Sequence, residues 1–182
     1  MLFPAAETAV LLLIDMQEKL AQAMSSGEQC LARQKIMLEA ANILNLDTII
    51  TEQYPQGLGH TLPELSGLFK PEWPVIEKKS FSCFGEPQFC SCLKSKSRKT
   101  IAVMGIESHV CVLQTVIDAL AQGYQPFVLE DTLSSRNPSD MTTAMRLLRH
   151  QGAIVTTAES YLFMLLKSAA HPAFRQISRL IR

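Results

Sequence analysis

The stretch TIAVMGIESHVCVLQTVIDALAQGYQPFVL, residues Thr100–Leu129, holds a strand, a helix and a second strand in succession. Thr100–Met104 is a short apolar run closed by Gly105, which has the length and punctuation of a buried strand. From Ser108 onward, Val110, Leu113, Val116, Ile117 and Leu120 fall at helical spacing, and Gly123 is a natural helix stop. Gln125–Leu129 is apolar again and runs into Glu130 and Asp131. A strand, a helix and a strand in this order form the crossover unit of a parallel sheet.

The same alternation continues on both sides. Downstream, Asn137-Pro138 reads as an N-cap with Pro at the first helical position, and that helix runs to about His150, with Gly152 beyond it. Ala153–Val155 is a strand, Thr156 and Glu159 form a capping box for a helix through Leu166, and a last helix starts near Pro172. Upstream, Thr8–Ile14 is a near-continuous apolar run ending at Asp15, as in a strand buried on both faces. Ser26 and Gln29 form a capping box that opens a helix to about Leu44. Thr48–Glu52 is a second strand, Tyr54–Leu65 a Gly- and Pro-rich loop, Val75–Glu77 a third strand running into Lys78 and Lys79, and Glu86–Lys96 a further helix. The expectation is one α/β domain over residues 1–182, a three-layer α/β/α sandwich with a mainly parallel sheet of about six strands. Ligands of such sheets bind beyond the carboxyl ends of the strands. That rule selects Asp15, Glu52 to Pro55, Lys78, Gly105 to Cys111, and Asp131, the last read as a cap for the loop after its strand.

Composition narrows the function. The chain has 182 residues with Lys plus Arg 17 and Asp plus Glu 17, so the formal charge is zero, which argues against a nucleic-acid partner. With 47% hydrophobic and 19% charged residues it can bury a substantial core. Its longest apolar runs, Ala9–Ile14 and Tyr161–Leu166, are far short of a membrane span, and no basic stretch precedes an apolar leader. The cysteines Cys30, Cys83, Cys90, Cys92 and Cys111 are odd in number and read as reduced thiols of a cytoplasmic protein.

Three strand ends bring chemistry to one edge of the sheet. Asp15 ends the first strand, where a charge is costly unless paired or solvated. Lys78 follows the third and supplies a cation. Cys111 lies on the first turn of a helix, where the dipole and free N–H groups favour thiolate. An acid, a cation and a thiol are what acyl transfer through sulfur requires. Taken singly, each has a plainer reading: a strand-end carboxylate capping a loop, a solvated lysine, a small buried cysteine.

The pieces LLLIDMQ at Leu11–Gln17, TEQYPQGLGHT at Thr51–Thr61, EKKSFSCF at Glu77–Phe84 and GIESHVCVLQT at Gly105–Thr115 resemble, in order, the isochorismatase-like or cysteine hydrolases. The TEQYPQGLG segment looks most like the branch of isochorismatase domain-containing proteins of poorly defined substrate. The resemblance implies a Rossmann-like, isochorismatase-like fold and a catalytic triad on Asp15, Lys78 and Cys111. Lys79 is the rival lysine, and the spacing back from Phe81-Ser82 prefers Lys78. The resemblance also implies a cis peptide at Ile106–Glu107 and an oxyanion hole made by the N–H groups of Glu107 and Cys111. The implied reaction is hydrolysis of a small amide through a thioester. Isochorismatases proper cleave a vinyl ether and lack the nucleophilic Cys, so Cys111 argues against that reaction here.

Where nicotinamidases of this family hold a metal with a D-x-H pair and a further His, this chain has Glu52 and Tyr54, with His60 nearby. One His and one carboxylate are too few for a zinc site, so neither metal nor cofactor is expected. Tyr54, Phe81, Phe84 and Ile106 are candidate walls for the substrate and Gln17 a polar contact, with core packing the competing reading for each. His109, two residues before Cys111, does not face it on a helix and reads as orienting. The apolar C-terminal region from Tyr161, with Phe174, Ile177, Leu180 and Ile181, offers a surface for a homo-oligomer. The reading of another class is a non-catalytic or redox-sensing oligomeric module, since a sensor thiol needs the same reactivity.

Overall fold

The computed structural model describes residues 3–182 and is built on a single sheet. In chain order the elements are β1 (Ala9–Ile14), α1 (Glu18–Ala21), α2 (Gly27–Leu44), β2 (Asp47–Gln53), α3 (Pro55–Leu58), α4 (Pro63–Ser66), β3 (Val75–Lys78), α5 (Pro87–Ser95) and β4 (Thr100–Ile106). A π-helical turn over Ser108–Val112 then leads into α6 (Leu113–Ala121), β5 (Gln125–Ser134), α7 (Pro138–His150), β6 (Ile154–Thr156), α8 (Ala158–Leu166) and α9 (Phe174–Leu180). The six strands lie in the order β3-β2-β1-β4-β5-β6, and every neighbouring pair is parallel. Chain order reverses between β1 and β4, the place where open sheets of this kind leave a crevice.

Alternation along β1 divides the core. Leu11 and Leu13 pack with Met37, Leu38 and Ala41 of α2, Leu162 and Leu166 of α8, and Ile177 of α9. Val10, Leu12 and Ile14 pack on the other face with Leu93 of α5, Val116 of α6 and Leu148 of α7. Two apolar faces explain why β1 is buried at every position and reads as a continuous hydrophobic run. Among the described residues no helix is long and apolar enough to cross a membrane.

Several local expectations are corrected. Ser26 is the N-cap of α2, but its hydroxyl bonds Ser134 Oγ at 2.9 Å and does not cap the helix. The cap of α8 is Thr157, one residue later than expected, and its hydroxyl accepts from Ser160 N at 3.3 Å. The Tyr54–Leu65 stretch is not a plain loop, because Pro55 and Pro63 each start a one-turn helix. β5 does not end at Leu129. It runs on to Ser134, and Asp131 instead accepts from Ala158 N at 2.7 Å, holding the start of α8. The apolar C-terminal residues are largely absorbed by the chain itself: Tyr161 and Ile177 are buried, and Phe174, Leu180 and Ile181 pack against the core.

Candidate active site

The site is built where β1 and β4 approach most closely. Gly105 has φ +125°, and a Cβ placed there would lie 2.1 Å from Ile14 O, so only glycine permits this contact. Immediately after it, the Ile106–Glu107 peptide is cis. The chain leaves β1 through Asp15 at φ +51°, a conformation that Asp tolerates better than most residues. This bend brings the carboxylate over the end of the sheet. Its backbone stays anchored, because Asp15 N donates to Thr51 O at 3.1 Å.

Lys78 comes from the last position of β3, two strands away, a separation of about 10 Å. Its long side chain crosses the end of β2. Lys78 Nζ lies 2.7 Å from Asp15 Oδ2 and 3.5 Å from Cys111 Sγ. It also donates to Gln53 Oε1 at 2.7 Å, Phe81 O at 3.0 Å and Ser80 O at 3.1 Å. Lys79, the neighbouring residue, is exposed, as strand alternation requires. Asp15 Oδ1 accepts from Thr51 Oγ1 at 2.8 Å, whereas Oδ2 has no well-angled hydrogen bond and meets Lys78 only as an ion pair. The Cys111 thiol lies within hydrogen-bonding reach of the same carboxylate. Asp15 has no exposed surface and Lys78 is 2% exposed, while Cys111 retains 6%, so the sulfur is the group of the three most open to a ligand.

Burial dominates the electrostatics. It pushes the Cys111 thiol up to about 12, with the charge of Asp15 adding to the rise and Lys78 opposing it. The resting sulfur is therefore a neutral thiol at pH 7. Burial also raises Asp15, against the pull of Lys78, which makes the carboxylate a better base than an exposed one. For Lys78, burial works against the charge, but the carboxylate 2.7 Å away outweighs it and holds the ammonium above its ordinary value. Burial thus favours the protonated form of both Asp15 and Cys111, and the Lys78 ammonium opposes it at both.

The other candidate residues divide. Tyr54 and Phe81 are 51% and 54% exposed, the aromatic rings left open beside the site. Gln17 is corrected from substrate contact to scaffold. Its Nε2 donates to Gly59 O at 2.6 Å and Gln53 O at 3.0 Å, and its Oε1 accepts from Gln53 N at 2.7 Å, so the buried carboxamide is fully engaged. Phe84 is half-buried and packs against Phe89 and Tyr124, with ring centroids 5.2 and 6.0 Å apart. Ile106 lies in the core with no exposed surface. Glu107 turns its carboxylate to Arg136 Nε at 3.1 Å, and His109 bonds Ser135 Oγ at 3.0 Å, an orienting contact.

Glu52 accepts from Thr61 N at 2.7 Å and Thr61 Oγ1 at 2.8 Å and meets His60 Nδ1 at 2.9 Å, so this carboxylate ties down the loop after β2. Among the described residues no group of three or more His, Cys, Asp or Glu is placed to hold a metal ion. Thr51 and the Ser80 and Phe81 carbonyls were not singled out by sequence, and Gln53 only as part of the strand end Glu52 to Pro55. Alternation in Thr51-Glu52-Gln53 puts Thr51 and Gln53 on one side, but only strand order shows that β2 stands between Asp15 and Lys78.

The Isochorismatase domain family matches residues 9–160. The chain belongs to the isochorismatase family. It is 35% identical to isochorismatase domain-containing protein 2 of Rattus norvegicus over 181 residues, covering 100% of this chain and 83% of that one. A structure described as MAR1 ribonuclease from Caenorhabditis elegans superposes with a TM-score of 0.93 at 35% identity, over 98% of this chain and 91% of that one. The YcaC gene product of Escherichia coli, described as an octameric hydrolase of unknown specificity, shares the fold with a TM-score of 0.89 at 21% identity, over 98% and 96% of the two chains. The sequence resemblance to isochorismatase-like hydrolases thus stands, as does the sandwich with helices on both faces of the sheet.

Proposed function

We propose that this isochorismatase-family chain is a cysteine hydrolase acting on a small amide-type C–N bond. The observation that carries the reading is the meeting of Asp15, Lys78 and Cys111, with Lys78 Nζ 2.7 Å from the carboxylate and 3.5 Å from the sulfur. Asp15 takes the thiol proton, and Lys78 compensates the charge that moves onto sulfur. The thiolate adds to the carbonyl carbon, and the developing oxyanion is received by the backbone N–H groups of Glu107 and Cys111. Asp15 returns the proton to the leaving nitrogen as the C–N bond breaks, which leaves a thioester on Cys111. Water, with Asp15 as base, then releases the acid and the free thiol. Tyr54 and Phe81 form the apolar walls of the entrance.

A buried sulfur and zero net charge suit a small neutral ligand better than a polyanion. Since the relative from Caenorhabditis elegans is described as a ribonuclease, RNA belongs in the same test. Purified chain is assayed for ammonia or amine release from a panel of small amides and for cleavage of single-stranded RNA, beside Cys111→Ala. The expected result is turnover of at least one amide, lowered at least ~10³-fold in C111A. RNA cleavage that survives C111A, with no amide turned over, refutes the reading. The reading also expects a homo-oligomer, in keeping with the octamer described for the Escherichia coli relative.

A further inference from the structure

The ion pair of the site is held by a strand that carries none of its three reactive groups. β2 lies between β1 and β3, so its carboxyl end stands between Asp15 and Lys78. Thr51 and Gln53 are two residues apart and project to the same side of the strand. A hydroxyl donor meets the anion, Thr51 Oγ1 to Asp15 Oδ1 at 2.8 Å. An amide acceptor meets the cation, Lys78 Nζ to Gln53 Oε1 at 2.7 Å. Gln53 is itself held, because its Nε2 donates to Lys79 O at 2.8 Å and its backbone N–H to Gln17 Oε1 at 2.7 Å. The first of these contacts also fixes which end of the amide faces Lys78.

We infer that Thr51 and Gln53 are positioning residues of this site: Thr51, bonded to Asp15 Oδ1, fixes the carboxylate with Oδ2 turned to Lys78, and Gln53 holds the Lys78 ammonium within reach of both Asp15 and Cys111. This rests on the catalytic reading above and assigns what orients its acid and its cation. An ammonium has three N–H donors, yet five acceptors surround Lys78: Asp15 Oδ2, Gln53 Oε1, the Ser80 and Phe81 carbonyls and, farthest at 3.5 Å, Cys111 Sγ. A protonated sulfur is the weakest of these and a thiolate a far better one. When the proton leaves sulfur, one N–H must turn to it from another acceptor. A neutral amide oxygen releases an N–H more readily than a carboxylate does. That is the chemical reason for Gln, and not Glu, at position 53.

The test follows iodoacetamide alkylation of Cys111 across the pH range, resolved by peptide mass spectrometry because Cys90 and Cys92 are also partly open. Wild type, Gln53→Glu, Thr51→Val, Thr51→Ser and Lys78→Met are compared, each with its melting curve. Q53E is expected to slow alkylation of Cys111 about tenfold at neutral pH, where the rate follows the small thiolate fraction. T51V removes the donor that favours the Asp15 carboxylate and is expected to move the Asp15 limb of the profile upward, while T51S keeps the wild-type profile. Q53E, nearly isosteric with wild type, keeps the test decisive if T51V does not fold. Profiles of Q53E and T51V identical to wild type, with K78M altered, overturn this inference alone. A K78M profile identical to wild type overturns the catalytic reading and this inference with it.

Discussion

Replacing Lys78 by Met leaves the Asp15 carboxylate buried without its counter-charge. The two groups are 2.7 Å apart, and neither side chain has exposed surface. At an effective dielectric of about 20, their attraction is about 6 kcal/mol, against which stands the cost of removing both charges from water. Breaking such a pair from one side costs about 3–5 kcal/mol, because the remaining charge has nowhere to go. For a chain of this size that corresponds to a fall in melting temperature of about 6–20 °C. Asp15→Asn is expected to cost a similar amount by stranding the ammonium. The double variant D15N/K78M buries no charge and is expected to recover most of the loss, giving a coupling energy of several kcal/mol in a double-mutant cycle by urea unfolding. The pH dependence has a definite sign. Burial already raises the folded-state pKa of Asp15 above its ordinary value of 3.8, and Lys78 opposes that rise. In K78M the opposition is gone and the raised value climbs further. A group raised on folding contributes stability below its unfolded pKa and loses it as pH rises through its folded one. The deficit of K78M is therefore small near pH 4 and grows toward pH 7–8. Single variants that each cost under about 1 kcal/mol and combine additively would refute the buried pair.

Two further outcomes follow from the geometry around it. Gly105→Ala puts a Cβ 2.1 Å from Ile14 O at φ +125°, so the β1–β4 contact must open. A loss of more than about 3 kcal/mol, or insoluble protein, is expected, and a melting temperature within a degree of wild type would contradict it. His60 is exposed, and its contact with Glu52 raises its pKa above 6.5. In Glu52→Gln the imidazole is expected to titrate lower than in wild type, followed by NMR, and an unmoved midpoint would show that the contact does not exist in solution.

The layered fold was legible because its strands are buried on both faces and its helices are amphipathic. The run AVLLLI needs no partner to identify it as a sheet interior, and β1 is buried throughout. That Asp15, Lys78 and Cys111 share one edge of the sheet was legible from their positions at strand ends, together with the family resemblance. What the chain does not spell out is lateral order. That Lys78 reaches Asp15 across β2 depends on the sequence β3-β2-β1, which no local pattern encodes, and so Thr51 went unremarked and Gln53 was picked out only as part of a strand end. Gln17 misled for the same reason. An amide next to a site motif looks available until the backbone of Gln53 and Gly59 occupies it.

Lys78 belongs to the outermost strand, which has one hydrogen-bonded neighbour where the strands of Asp15 and Gly105 have two. Asp15 and Cys111 are rooted in the middle of the molecule, while the ammonium beside them is carried at its rim. Rims fray first, at a free-energy cost well below that of global unfolding. The meeting of Asp15, Lys78 and Cys111 can thus be undone by peeling back four residues while the rest of the chain stays folded, so its persistence is set by the hold on that rim and not by the depth of the core.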